Sequence, residues 1–241
     1  MNVSTDIDIS FDFRSDTPPG KDPDVRSPTL RQYHRILWSK PLPCGARFDL
    51  ATSTARVYLH HKSLVGEFSL ASDSVITTFI RSSRIAHIVA QIPTDVCDRF
   101  YKLGYTIGGM MVFPRNKING RMTINGARGC HYLIKDRFDL TLECIRRHYR
   151  NEENPLMDTL RRYYTFFDLF GSFQGYVEFF LLQDLVASDF SAVRFFIPFE
   201  EFRPWPLPKD VTEYHTYRLA AETFLHARNQ RILKDRSPTC T

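Results

Sequence analysis

The chain has five cysteines, Cys44, Cys97, Cys130, Cys144 and Cys240, with no CxxC pair among them. An odd, scattered set argues against both a disulfide framework and a zinc ribbon, and the expected compartment is the reducing cytoplasm. Long hydrophobic runs are missing too. The most apolar stretch, around residues 179–182, falls far short of the roughly 18 residues a bilayer span requires. The opening MNVSTDIDIS has neither the basic head nor the apolar run of an export signal, so no membrane partner is expected. Metal-ligand spacings such as HExxH do not occur, and the adjacent His60 and His61 on an expected strand point to opposite faces; no metal site is expected. Neither GxxxxGK[ST] nor GxGxxG is present, and no repeat or low-complexity tract is found, which excludes solenoids and leaves the cofactor unknown.

What remains is an ordinary globular composition, 43% hydrophobic and 24% charged over 241 residues, which fits one domain spanning 1–241 with residues 1–6 and 236–241 as frayed ends. The excess charge is local. Residues 115–150 hold nine Lys or Arg against three acidic residues, so this segment's +6 exceeds the +5 of the whole chain. Arginine also predominates over lysine, and its planar fork suits bidentate contact with phosphate or carboxylate.

Residues 7–13 alternate apolar and polar, the period of a half-buried strand. Ser27 and Pro28 then open a helix that ends before Pro41. Short alternating runs between residues 47 and 70 (RFDL, RVYLHH, GEFSL) predict two or three antiparallel strands. Residues 74–92 read as helical after an Asp73 or Ser74 cap, and TDVCDRFYKLG as a short helix with Thr94 as cap and Gly104 as terminator. YTIGGMMVF is a strand interrupted by Gly108 and Gly109, where another backbone or a ligand can approach closely. Asn119-Gly120 marks a tight turn, and Thr123 or Asn125 caps the next helix. The helix from Asp136 sets Phe138, Leu142, Ile145 and Tyr149 against a charged stripe that includes Glu143 and Arg147. Asn154-Pro155 and Ser172 begin further helices, AVRFFIPF reads as a buried strand, and Asp210 opens a long polar helix to about Lys234. Strands first and helices later describe an α+β fold, a small mostly antiparallel sheet with a helix-rich, aromatic C-terminal half.

Two segments are candidates for function. A turn carrying Asn125, Gly126 and Arg128 presents amides and a guanidinium to an anion, with Arg115 and Asn116 nearby. The loop 14–26, with Arg14, Asp16, Lys21, Asp22 and Asp24 between two expected elements, is the second. Together they predict a cleft for a phosphate-bearing ligand, a nucleotide or nucleic acid, with Glu143 or Asp16 as acid or base and His148 or His131 as proton donor if the protein is an enzyme. The alternative is a non-catalytic interaction module whose arginines pair with its own carboxylates.

The stretches FDFRSDTPPGKDPDVRSPTLRQYH, YTIGGMMVFP, TINGARG, DRFDLTLECIRRHY and YVEFFLLQDLV together resemble a family of bacterial and phage hypothetical proteins, a domain of unknown function, over about Ile7 to Ile232. The resemblance implies one domain and carries over no activity, cofactor or site residue.

Overall fold

The computed structural model of the protein describes residues 6–51 and 59–236. Its N-terminal half begins with two helices, α1 (Pro23–Arg26) and α2 (Pro28–Trp38), and continues into a short hairpin of β1 (Lys40–Pro41) and β2 (Arg47–Phe48). Three strands, β3 (Leu59–Ser63), β4 (Gly66–Ser74) and β5 (Met110–Pro114), make an antiparallel sheet with β4 in the middle. Between β4 and β5 lie α3 (Ala86–Val89) and α4 (Thr94–Gly104). Six helices come after β5: α5 (Ile124–Cys130), α6 (Phe138–Tyr149), α7 (Met157–Arg162), α8 (Tyr164–Asp168), α9 (Phe173–Phe179) and the 26-residue α10 (Val211–Arg236). The fold is α+β.

Local chemistry explains why the helices start where they do. Ser27 Oγ accepts from Leu30 N at 3.0 Å, with Pro28 at the first helical position. Thr123 caps α5 through Gly126 N, Ser172 caps α9 through Gly175 N, and Asp210 accepts from Glu213 N at the start of α10. The buried side chains of α2, Leu30, Tyr33, His34, Leu37 and Trp38, recur at helical spacing and turn one face to the core.

The buried apolar side chains form one cluster. Its densest part is aromatic: Phe166, Phe170, Tyr176, Phe179 and Phe180 contact one another edge-on or tilted, and Trp38 from α2 packs against Phe179 and Phe180. Burying each such ring contributes about 1.5–3 kcal/mol, more than an exposed ion pair, so these rings rather than surface charges hold the halves together.

Helix α10 closes the structure. Asn229 Oδ1 accepts from Gly108 N at 2.7 Å, and Arg228, fully buried, donates to the carbonyls of Gly108, Met110 and Phe180. Gly108 and Gly109 allow this approach: a Cβ on Gly108 would sit 2.6 Å from Asn229 Oδ1, and one on Gly109 2.1 Å from the Gly104 carbonyl. The glycines thus make room for the protein's own chain.

Several expected elements take another form. Residues 7–13 form turns, not a strand: Asp8 Oδ1 accepts from Ser10 N, Phe11 N donates to the Asp8 carbonyl, and only Ile7 and Phe13 are buried. Residues 75–82 are a loop, with Phe79 at φ 59°, because the hydroxyls of Tyr214 and Tyr217 on α10 satisfy the carbonyls of Thr78 and Thr77. Only a 3₁₀ turn and α3 represent the helix read there. AVRFFIPF is irregular, with one bridge between Val186 and Val193. The helix read from Asn154 to Phe170 is broken into α7 and α8. Pro93, not Thr94, stands before α4. The RVY part of the expected strand at 56–58 and the tail SPTCT lie outside the described residues.

Candidate ligand-binding cleft

Loop 14–24, the end of β4 with loop 76–82, the C-terminal end of α4 and Asp136 enclose a cleft of about 800 Å³. Its walls differ in charge.

One wall is cationic and aromatic. Pro18-Pro19-Gly20-Lys21 makes a tight turn in which Lys21 N donates to the Pro18 carbonyl at 3.0 Å. Gly20, at φ 71°, supplies the left-handed conformation that such a turn requires after proline. Lys21 is thereby presented at the rim. Arg14 pairs with Asp12, Nε to Oδ1 at 2.8 Å, and its guanidinium lies 4.5 Å from the Tyr101 ring centroid and 5.4 Å from that of Tyr105. Burial works to raise the Asp12 carboxyl, but the Arg14 side chain and backbone hold it below the usual range. Arg81, from the opposite loop, reaches the same Tyr101 ring at 5.6 Å.

The other wall is acidic. Asp22 caps α1 by accepting from Asp24 N at 3.0 Å, and α1 lies on β4, which brings Asp24 to Asp73. Asp136, at φ 67°, reaches in from the turn before α6. Beneath them Arg128, fully buried, donates through Nη1 to Asp73 Oδ2 at 2.6 Å and contacts Asp136 Oδ1 at 2.8 Å. Its Nη2 donates to the Asp136 carbonyl and its Nε to Thr141 Oγ1. Burial alone would lower Arg128; Asp136 and Asp73 together hold it above its ordinary value. Burial pushes the Asp73 carboxyl up to about 6 despite the guanidinium beside it. Asp24 is likewise raised well above its ordinary range, first by burial and then by Asp73 and Asp22. Although Asp24 keeps some exposed surface as a residue, burial is the dominant influence on its carboxyl.

Of the residues singled out from the sequence, Arg14 and Lys21 line this cleft, and Arg128, buried behind it, pairs with Asp73 and Asp136 of its wall. Most others lie elsewhere. Asp16 Oδ2 accepts from Thr29 N at 3.0 Å in the first turn of α2, and Asp16 is not among the cleft residues. Asn125 donates to the Ser72 carbonyl, and Asn116 uses its own carbonyl to accept from the Tyr163 hydroxyl. Arg115 is exposed beyond β5, its backbone N–H bonded to Ser69. Glu143 is buried and held by Arg146, at 2.7 and 2.8 Å, and by Arg147 at 2.8 Å. His148 packs against Tyr149 and Phe167, and burial lowers its basicity. His131 stacks on Tyr132 and is likewise lowered by burial and then by Lys135. The pairing of Arg137 with Asp139, whose Oδ2 also accepts from Phe196 N, completes an α6 stretch in which the arginines serve the protein itself.

Sequence reasoning missed Asp73, Asp136, Arg81, Tyr101 and Tyr105 as cleft residues, and it placed Asp24 in the loop without giving it a role. The available signal was weak: DPD follows the Lys21 turn directly, whereas the other residues come from three distant segments.

An α+β protein with a mixed-charge cleft between its N-terminal loop and its central strand is the class that fold and geometry define. Within it, the chain belongs to the family of unknown function DUF6994, which matches residues 7–232. No curated protein and no solved structure matches the chain. Among the described residues no helix is long and apolar enough to cross a membrane, and no group of three or more His, Cys, Asp or Glu is placed to hold a metal ion.

Proposed function

We propose that the cleft binds a phosphate-bearing nucleoside ligand in the cytoplasm. The observation that carries the reading is the division of the cleft walls. Arg14 and Arg81 flank the Tyr101 ring and Lys21 lines the same cleft, while carboxyls stand across it. Cations and an aromatic face suit a phosphate and a base, and carboxyls across the cleft suit the ligand's remaining polar groups. About 800 Å³ is the size of a small-molecule site and fits one nucleotide better than a polymer. Among the described residues Cys44, Cys97, Cys130 and Cys144 are free thiols, which supports a reducing compartment. Isothermal titration of the purified chain with adenosine mono- and diphosphate, beside a short RNA, tests the reading. Saturable nucleotide binding that weakens on Arg81→Ala supports it. Equal, weak responses to all three ligands, with no nucleotide co-purifying by mass spectrometry, would remove it.

One observation favours the second reading, a non-catalytic interaction module. Arg128, Arg137, Arg146 and Arg147, the centre of the basic stretch, are all paired with the protein's own carboxylates.

A further inference from the structure

A buried chain of hydrogen bonds leads from the core into the acidic wall. Trp38 Nε1 lies 3.0 Å from His34 Nδ1, His34 Nε2 lies 3.0 Å from Ser72 Oγ, and Ser72 Oγ lies 3.4 Å from Asp24 Oδ1. Chemistry fixes its direction. An indole N–H only donates, so His34 Nδ1 accepts; the imidazole is then neutral and carries its proton on Nε2. Nε2–H donates to Ser72, which leaves the serine hydroxyl proton for Asp24 Oδ1. Trp38, His34 and Ser72 are all buried, so water does not compete for these groups. His34 is held neutral by the same environment, since burial and the nearby Arg228 push it down to about 3.

We propose that Asp24 is the hydrogen-bond donor of the cleft, a carboxyl aimed by the Trp38–His34–Ser72 relay and presenting its Oδ2 proton to an anionic oxygen of the ligand. The ligand half of this rests on the phosphate reading above. It resolves a difficulty in that reading, because a cleft lined by Asp22, Asp24, Asp73 and Asp136 repels a phosphate unless some of these carboxyls are neutral. Burial, with the Asp73 and Asp22 carboxyls beside it, holds Asp24 well above the ordinary carboxylate range. Arg128 is already shared by Asp73 and Asp136, and the strongest charges acting on Asp24 are the carboxylates of Asp73 and Asp22. Tyr105 faces it from the end of α4, Arg14, Lys21 and Arg81 line the same space, and the hydroxyl of Ser72 and N–H of Ser74 favour its anion without outweighing burial. With Oδ1 occupied by Ser72, the acid proton resides on Oδ2.

The full chain, labelled with ¹³C at the aspartate carboxyls and free of ligand, is titrated by NMR from about pH 5 to about pH 10, with Asp24 assigned from its loss in Asp24→Asn. Asp24 is expected to titrate well above the ordinary carboxylate range, and higher still in Ser72→Ala, where a donor to the anion is gone. A midpoint in the ordinary range, or no response to Ser72→Ala, would overturn the proposal. In parallel, adenosine diphosphate affinity is measured by calorimetry over the same range. Above about pH 7, where Asp73 is already ionised, wild-type affinity should fall about tenfold per pH unit once Asp24 ionises, whereas Asp24→Asn, which keeps a donor at that position, should hold its affinity. A pH dependence above about pH 7 that survives in Asp24→Asn also overturns it. Adenosine diphosphate failing to bind at any pH, with Asp24 still titrating high, refutes the nucleotide reading alone and leaves the donor assignment standing on the NMR result.

Discussion

The basic stretch around α6 and the cleft below α1 both concentrate charge, yet they use it in opposite ways. In α6 each carboxylate has a guanidinium in contact: Arg137 with Asp139, and Arg146 and Arg147 with Glu143. In the cleft, Lys21 and Arg81 form no ion pair among the described residues, and of its four carboxyls only Asp73 and Asp136 pair with the buried Arg128. Density of charge along a sequence therefore locates a strut as readily as a site. What marks the site is charge left unneutralised after folding.

The contrast breaks most directly at Arg137 and Asp139. Removing one partner of this buried pair by Asp139→Ala should cost about 3–5 kcal/mol in urea unfolding, because Arg137 then stays buried without a counter-charge. A cost near that of an exposed pair would mean that α6 is not the strut described. Comparable in size is the acid response. His34 sits near 3 when folded and near 6.5 when unfolded, so between those values the unfolded chain binds the extra proton. Stability should thus fall as pH drops below about 6.5, by on the order of 5 kcal/mol in total, read as a falling urea midpoint. Asp73, at about 6 folded against 3.8 unfolded, acts in the reverse sense: its cost appears as pH rises from 3.8 to 6, so Asp73→Asn should steepen the acid loss. Smaller again are the rim cations. Lys21→Ala and Arg81→Ala should each weaken adenosine diphosphate binding about tenfold while the melting temperature stays unchanged. At the bottom of the scale, Arg99→Ala removes only an exposed i,i+4 contact with Asp95 and should leave both stability and binding as they were.

Legibility followed the range of the interactions. Ser27, Thr123, Ser172 and Asp210 announced helix starts because a cap is satisfied within three residues. The long helix α10 was plain for the same reason. Residues 7–13 misled because alternating Asp and Ser serve turns as well as strands, and residues 75–82 because their carbonyls find tyrosine hydroxyls far along the chain. For the site, the Arg14–Lys21 loop was legible as a polar loop between elements. Its acidic counterpart was not, since Asp24 and Ser72 meet across 48 positions and no local pattern encodes that meeting.

The hydroxyl anchors of Tyr214 and Tyr217 have a kinetic meaning. They join α10 to the cleft loop over separations of 136 and 140 residues, contacts of high order whose loop-closure cost slows folding. The wall bearing Arg81 thus keeps its shape only while α10 stays docked.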